Sequence, residues 1–220
     1  MLKELYYKLH RLFSRPEERE HYSAGYWQDR IRQEALILSK DIPGRLLEVG
    51  CGEGLFLRQL AAQNTRSEIW GIDSDPTRIK QAEVYLQQNN FRNIRLSCEN
   101  ALNLPFESGY FDAVVCINVV FNLDSLDTVK KVLQEISRVC KRNGTVIFDF
   151  RNSANPFVKW KYKFAPVYDP TVKRLPLKTY NLEEMNLLAK GAGLEIKNKR
   201  YIGFPIKKIA PVILLEAKKI

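Results

Sequence analysis

Three glycines spaced one residue apart, Gly50, Gly52 and Gly54, follow the apolar run Leu46-Leu47-Glu48-Val49 and precede a helical pattern that starts at Leu55. A strand that ends in such a turn and feeds a helix lets a ligand lie against bare backbone at a helix N-terminus. Glycine is needed there because a Cβ would block the approach, or because φ is positive. A second signal lies about 20 residues on: Ile69, Trp70 and Ile72 form another apolar strand, which ends in Asp73-Ser74-Asp75-Pro76. A carboxylate at Asp73 can accept both hydroxyls of a ribose, and charged acceptors form the stronger hydrogen bonds. Each signal has a plainer reading. The glycines can make a tight turn that holds nothing, and an acid before a helix can be its cap. Asp75 fits the cap better than Asp73 does, because Pro76 favours the first helical position.

The glycine spacing departs from the G-x-G-x-x-G of dinucleotide sites. With Glu48 two residues upstream, it resembles the E/D-x-G-x-G-x-G motif of class I S-adenosylmethionine-dependent methyltransferases. Three further stretches carry the resemblance in order. Glu99-Asn100-Ala101-Leu102-Asn103-Leu104-Pro105-Phe106 is similar to a family segment reading Asp-Ala…Leu-Pro-Phe, whose acid meets the adenine amino group. Asn100 stands in that place, and its carbonyl oxygen can also accept from an amine. Phe111–Asn118 is similar to the fourth strand, beyond which Asn118, Val119 and Phe121 would line the methyl corner. Lys141–Asp149 is similar to the glycine turn into strand five. The resemblance covers 45–150, and 181–218 more weakly. It implies S-adenosylmethionine as cofactor, held by Glu48, Gly50, Cys51, Gly52, Gly54, Asp73, Ser74, Asn100, Ala101, Leu102 and Asn118, with Tyr26 (or Tyr22) folding over it. The Asn-Pro-Pro-Tyr tetrad of adenine methylation is absent, and the pattern looks most like the small-molecule and quinone type. A base is optional in this chemistry; His21, Tyr26, Asn118 and Tyr180 are the candidates.

The elements that must position these residues alternate. Strands are expected at 45–50, 68–73, 94–98, 111–118 and 144–150, with helices at 54–63, 76–89 and 125–141. Such βα alternation implies an α/β, doubly wound, mostly parallel sheet. Further on come a helix from Asn181, capped with Glu184, and strands at 194–202 and 211–218, which are expected to pair as an antiparallel hairpin. The expectation is therefore a seven-stranded Rossmann-like sheet with strand 7 antiparallel. Residues 1–44 read as an N-terminal helical cap: an amphipathic helix at 2–13, a break at Ser14–Glu18, and a helix at 27–40. Residues 45–220 read as the cofactor-binding domain. Within it, 151–180 breaks the rhythm with Pro156, Pro166, Pro170 and Pro176 among many aromatics. It reads as a loop-like insert over the acceptor pocket.

Composition sets the outer bounds. The 220 residues suit one α/β domain with short additions. No run of 18 apolar residues occurs, and the N-terminus has no signal-peptide pattern. Cys51, Cys98, Cys116 and Cys140 lack zinc-site spacing and read as reduced thiols in cytoplasm. No metal is expected. The net charge of +10 is uneven: residues 1–45 carry +2, 46–150 carry −2, and 151–220 carry +10. A basic third attracts anionic lipid, nucleic acid or acidic substrates, or simply solubilises. The partner expected first is a small hydrophobic or anionic acceptor, with an anionic membrane surface met through 2–13 and the basic third. The competing readings are an RNA methyltransferase and a non-catalytic cofactor-binding module at membranes or partners. An oxidoreductase lacks its final glycine spacing.

Overall fold

Strands buried on both faces need apolar residues at every position, and Leu46, Leu47 and Val49, or Val114, Val115 and Cys116, supply them. In the computed structural model, which describes residues 25–91, 93–168, 175–204 and 207–220, these runs build one seven-stranded sheet. The elements in order are α1 (Tyr26–Ser39), β1 (Arg45–Val49), α2 (Leu55–Gln63), β2 (Glu68–Asp73), α3 (Pro76–Gln88), β3 (Ile94–Cys98) and β4 (Phe111–Cys116). They continue with α4 (Leu126–Val139), β5 (Cys140–Arg151), α5 (Pro156–Tyr168), α6 (Leu182–Gly191), β6 (Leu194–Ile202) and β7 (Val212–Lys219). The strand order is β3-β2-β1-β4-β5-β7-β6, and β7 alone runs against its neighbours. This is the seven-stranded, Rossmann-like sheet with strand 7 antiparallel that the motifs imply.

Alternation along each strand divides the core into two layers. Leu47, Val114, Val146, Phe148 and Leu215 face α4 and α6. Leu46, Ile69, Val115, Ile147 and Leu214 face α1, α2 and α3. Helix α4 earns its place through Val129, Val132, Leu133, Ile136 and Val139, a stripe at helical spacing that is wholly buried. Its N-terminus is capped by Ser125, and α6 has the capping box of Asn181 with Glu184. The rims are polar. On β6, at one rim, Lys197, Lys199 and Arg200 are exposed.

Two expectations are corrected. The helix expected to 141 stops at Val139, and β5 begins at Cys140 rather than 144. Asn143 takes φ 62° and the β4–β5 register shifts there, so the glycine turn is a bulge inside the strand. The second correction is in 151–180, which contains α5. Asn155 Oδ1 accepts from Val158 N at 2.9 Å and Pro156 occupies the first helical position. The Asn-Pro pair that reads as a break is a helix start. The expected helix at 2–13, His21 and Tyr22 lie outside the described residues.

Candidate active site

The order of the sheet reverses between β1 and β4, and open α/β sheets bind ligands in the crevice at such a point, beyond the carboxyl ends of the strands. A cleft of about 590 Å³ lies there, a size suited to a small ligand. The glycine turn forms its floor. Gly50 N and Cys51 N both donate to Ile72 O, at 2.8 and 2.9 Å, and tie the turn to the end of β2. The three glycines have φ 77°, 52° and 80°, but only one opens onto the cleft in the expected sense. A Cβ on Gly50 would collide with Val119, and one on Gly54 would press on Ala82 and Leu86 of α3. A Cβ on Gly52 would meet nothing within 4 Å among the described residues.

The carboxylates are arranged around that opening. Asp73 Oδ2 accepts from Gly52 N at 2.9 Å and Oδ1 from Asp75 N at 3.0 Å. Each oxygen keeps a lone pair for a further donor. Asp75 caps α3 through Thr77 N at 2.8 Å. Two acids one residue apart therefore do different jobs. Glu48 is 3% exposed, and its Oε2 has no hydrogen-bond partner among the described residues. Burial pushes its carboxyl well above the usual range; Arg32 opposes the shift and Asp73 adds to it.

That orphaned oxygen has a measurable cost. The unfolded chain releases the Glu48 proton near the ordinary value of about 4.3, whereas the folded chain holds it to higher pH. The native state thus binds more protons, and stability falls as pH rises between the two values. Without cofactor, Glu48→Gln is expected to melt above the parent at about pH 7, with the gain vanishing near pH 4. Melting curves at both values check this; a gain equal at both removes the assignment.

The far wall is the loop after β3. Asn100 Oδ1 accepts from Leu102 N at 2.9 Å, so one lone pair of the oxygen expected to meet an adenine amine is engaged in the loop's own turn. Leu104 N donates to Glu135 Oε2, while Arg138 donates to the carbonyls of Leu104 and Phe106. The Leu-Pro-Phe segment is thereby clamped to α4, which holds Ala101 and Leu102 at the cleft. At the corner beyond β4, Asn118 adopts φ 60°. Asp149 accepts from Asn118 N, and Arg151 Nη2 donates to Asn118 Oδ1 at 2.9 Å. Arg151 also pairs with Asp149 and donates from Nε to Tyr162 Oη at 3.0 Å. This ion pair is fully buried, and desolvation raises the Asp149 carboxyl against the pull of Arg151.

Residues 47–148 match the family model described as "Methyltransferase domain". Among curated proteins, the malonyl-[acyl-carrier protein] O-methyltransferase of Legionella pneumophila is 32% identical over 115 residues, 52% of this chain and 39% of that protein. The demethylmenaquinone methyltransferase of Thermotoga maritima is 32% identical over 121 residues, 55% of this chain and 48% of that protein. A SAM-dependent methyltransferase structure from Methanosarcina mazei superposes with TM-score 0.69 at 19% identity, over 84% of this chain and 97% of that one, a likeness of fold. Residues 47–148 are a methyltransferase domain. The chain spans about half the length, or less, of the curated relatives it matches. The Methanosarcina mazei neighbour is described as SAM-dependent, and S-adenosylmethionine is the cofactor that the motifs imply here.

The residues of the methyltransferase domain fit that cofactor. Five acids (Glu48, Glu53, Asp73, Asp75 and Glu99) and two arginines (Arg32 and Arg78) line the cleft of a protein whose net charge is +10. An acid-rich cleft attracts a sulfonium and an ammonium and repels a pyrophosphate. Glu48, whose Oε2 has no hydrogen-bond partner among the described residues, lines that space, and Gly52 leaves room for backbone contact.

Of the residues expected to hold the cofactor, Glu48, Gly50, Cys51, Gly52, Asp73, Ser74, Asn100, Ala101, Leu102 and Asn118 all line the cleft. Gly54 and Tyr26 do not. Gly54 packs α2 onto α3, and Tyr26 opens α1, 48% exposed. Tyr180 is buried behind the wall, where its hydroxyl donates to Leu123 O at 3.3 Å and burial pushes its pKa up to about 12. A phenol so placed is no base at neutral pH. Sequence reasoning missed Arg32, Leu175 and the Asp149–Arg151 pair. The pair did carry a signal: two opposite charges at i and i+2, on one face of an otherwise apolar strand.

Proposed function

We propose that the chain is an S-adenosylmethionine-dependent methyltransferase acting on a small, hydrophobic or anionic acceptor, in the cytoplasm. The observation that carries this reading is the acid-rich cleft at the β1/β4 switch point, lined by Glu48, by Gly52 and by Asp73, which accepts from Gly52 N. The names of relatives support the acceptor class, since they act on a malonyl carrier protein and on demethylmenaquinone. The cofactor supplies a methyl group on a sulfonium, already a strong leaving group. The protein's own work is then to orient the acceptor and exclude water. Asn118, Val119 and Leu175 line the part of the cleft where the acceptor would approach, and Leu175 brings the 151–180 insert to it. An acceptor that gives up its proton readily, such as a phenol, enol or thiol, needs least help from a base. The basic C-terminal third is the part proposed to meet an anionic membrane surface.

Asp73 would bind the ribose hydroxyls. Asp73→Ala is expected to weaken S-adenosylhomocysteine binding by about 1.5–3 kcal/mol, roughly ten- to 150-fold. Titration calorimetry tests this, with Asp73→Asn retaining part of the affinity through its one carbonyl oxygen. An alanine variant that binds as tightly as the parent refutes the role.

A further inference from the structure

Helix α5 buries only part of its surface. Val158 and Ala165 are buried, and Tyr162 reaches inward to Arg151. Residues 157, 160 and 164 fall on one stripe at 3.6 residues per turn, and they are Phe157, Trp160 and Phe164, which are 66%, 68% and 40% exposed. Lys161 lies on one side of this stripe, stacked on Trp27 at 4.5 Å; Lys159 and Lys163 lie on the other. Asn155, the cap of α5, holds Ile209 O at 2.7 Å, and Asn152 holds the carbonyls of Lys208 and Ala210. Residues 208–210 are thus fastened beside the helix start, and the described residues after β6 add Phe204, 85% exposed, Ile209, 46% exposed, and Lys207 and Lys208. Residues 150–168 and 196–215 contain no Asp or Glu.

We infer that this face, α5 together with Phe204 and residues 207–211, docks on the surface of an anionic bilayer. Its chemistry selects that occupant. Trp and Phe side chains between flanking lysines suit the boundary of headgroups and acyl chains: the rings enter it, while the ammonium groups reach back to lipid phosphates. The absence of acids in both segments removes the repulsion that an anionic surface would otherwise meet. An RNA reader would present flat rings as stacking platforms, whereas Trp160 and Phe164 meet edge-on, with centroids 5.0 Å apart. Docking there would place the helix that carries Tyr162, and with it the Asn118 corner of the cleft, near the membrane.

The test is flotation of the cofactor-free chain with phosphatidylcholine vesicles, with and without phosphatidylglycerol. The variants are Phe157→Ser/Trp160→Ser and, independently, Lys159→Glu/Lys163→Glu. The parent is expected to float with the anionic vesicles alone, and each variant to lose roughly tenfold or more in partitioning. Melting temperature and S-adenosylhomocysteine binding should stay at parental values, because these side chains are outside the cleft. Blue-shifted emission on vesicle addition, abolished in Trp160→Phe, is the second readout; Trp27 and Trp70 remain as internal references. A parent that stays with the pellet overturns the inference. So do variants that float as well as the parent, and so does RNA retention lost in the variants without vesicle binding in the parent. Cofactor binding is read separately, so the failure of one reading leaves the other standing.

Discussion

Gly52→Leu is expected to abolish cofactor binding while leaving the fold nearly as stable as the parent. The two halves of that result have different causes. Gly52 sits at φ 52°, in the left-handed region, where a side chain costs about 1–2 kcal/mol. For a chain of this size that corresponds to a loss of about 2–8 °C in melting temperature. No described neighbour must move, since nothing among the described residues lies within 4 Å of where the Cβ would be, and the bond from Gly52 N to Asp73 survives. The leucine side chain instead fills the space in front of the turn. Affinity for S-adenosylhomocysteine should fall at least about 100-fold, or 2.8 kcal/mol. Gly50→Leu makes the contrast: there the side chain collides with Val119 and the fold itself should suffer. Calorimetry and thermal melting on both variants separate the outcomes. A Gly52→Leu protein that binds normally would show that the ligand does not approach the backbone here.

The second large effect concerns stability. Arg151→Met is expected to destabilise the chain by about 3–5 kcal/mol, because it leaves the Asp149 carboxylate buried without its cation. The melting temperature should fall by about 6–20 °C. Converting both partners, Asp149→Leu with Arg151→Met, should recover much of the loss, since a buried pair replaced by apolar groups of similar size is often neutral. Recovery stops short of complete because Asn118 N, Asn118 Oδ1 and Tyr162 Oη would then lose these partners, about 1–3 kcal/mol for each buried polar group left unmade. Urea unfolding of the two singles and the double closes the cycle. A single variant within about 1 kcal/mol of the parent would mean that the pair contributes little.

The sheet and the cofactor side of the cleft were legible because each rests on local chemistry. The runs at 46–49, 69–72 and 113–116 had to be buried strands, and Gly50, Gly52 and Asp73 stand where a strand ends. Asp75 was separable from Asp73 by the proline that follows it. Helix α5 was not legible, since its exposed stripe is aromatic rather than charged and so hides the helical period. Pro156 and Pro166 also read as breakers, although the first is a helix start. The role of Tyr180 was not legible either. An exposed phenol and one turned inward onto Leu123 O have the same letter, and only packing decides between them. Arg32 sits in a helix with no motif around it, and only the crossing of α1 over the sheet brings it to Glu48. Fold-level pattern names the cofactor; the acceptor side depends on contacts between distant segments.

The outermost strand β6 carries one more consequence. A sheet rim offers unpaired amides and carbonyls, a template onto which another chain can add a strand. On β6 that rim bristles with Lys197, Lys199 and Arg200, and the opposite rim, β3, exposes Arg95. Lys197 is paired with Glu195 on the same strand, which leaves Lys199 and Arg200 to set cation against cation when two such rims slide together, so charge opposes edge-to-edge growth into a fibril.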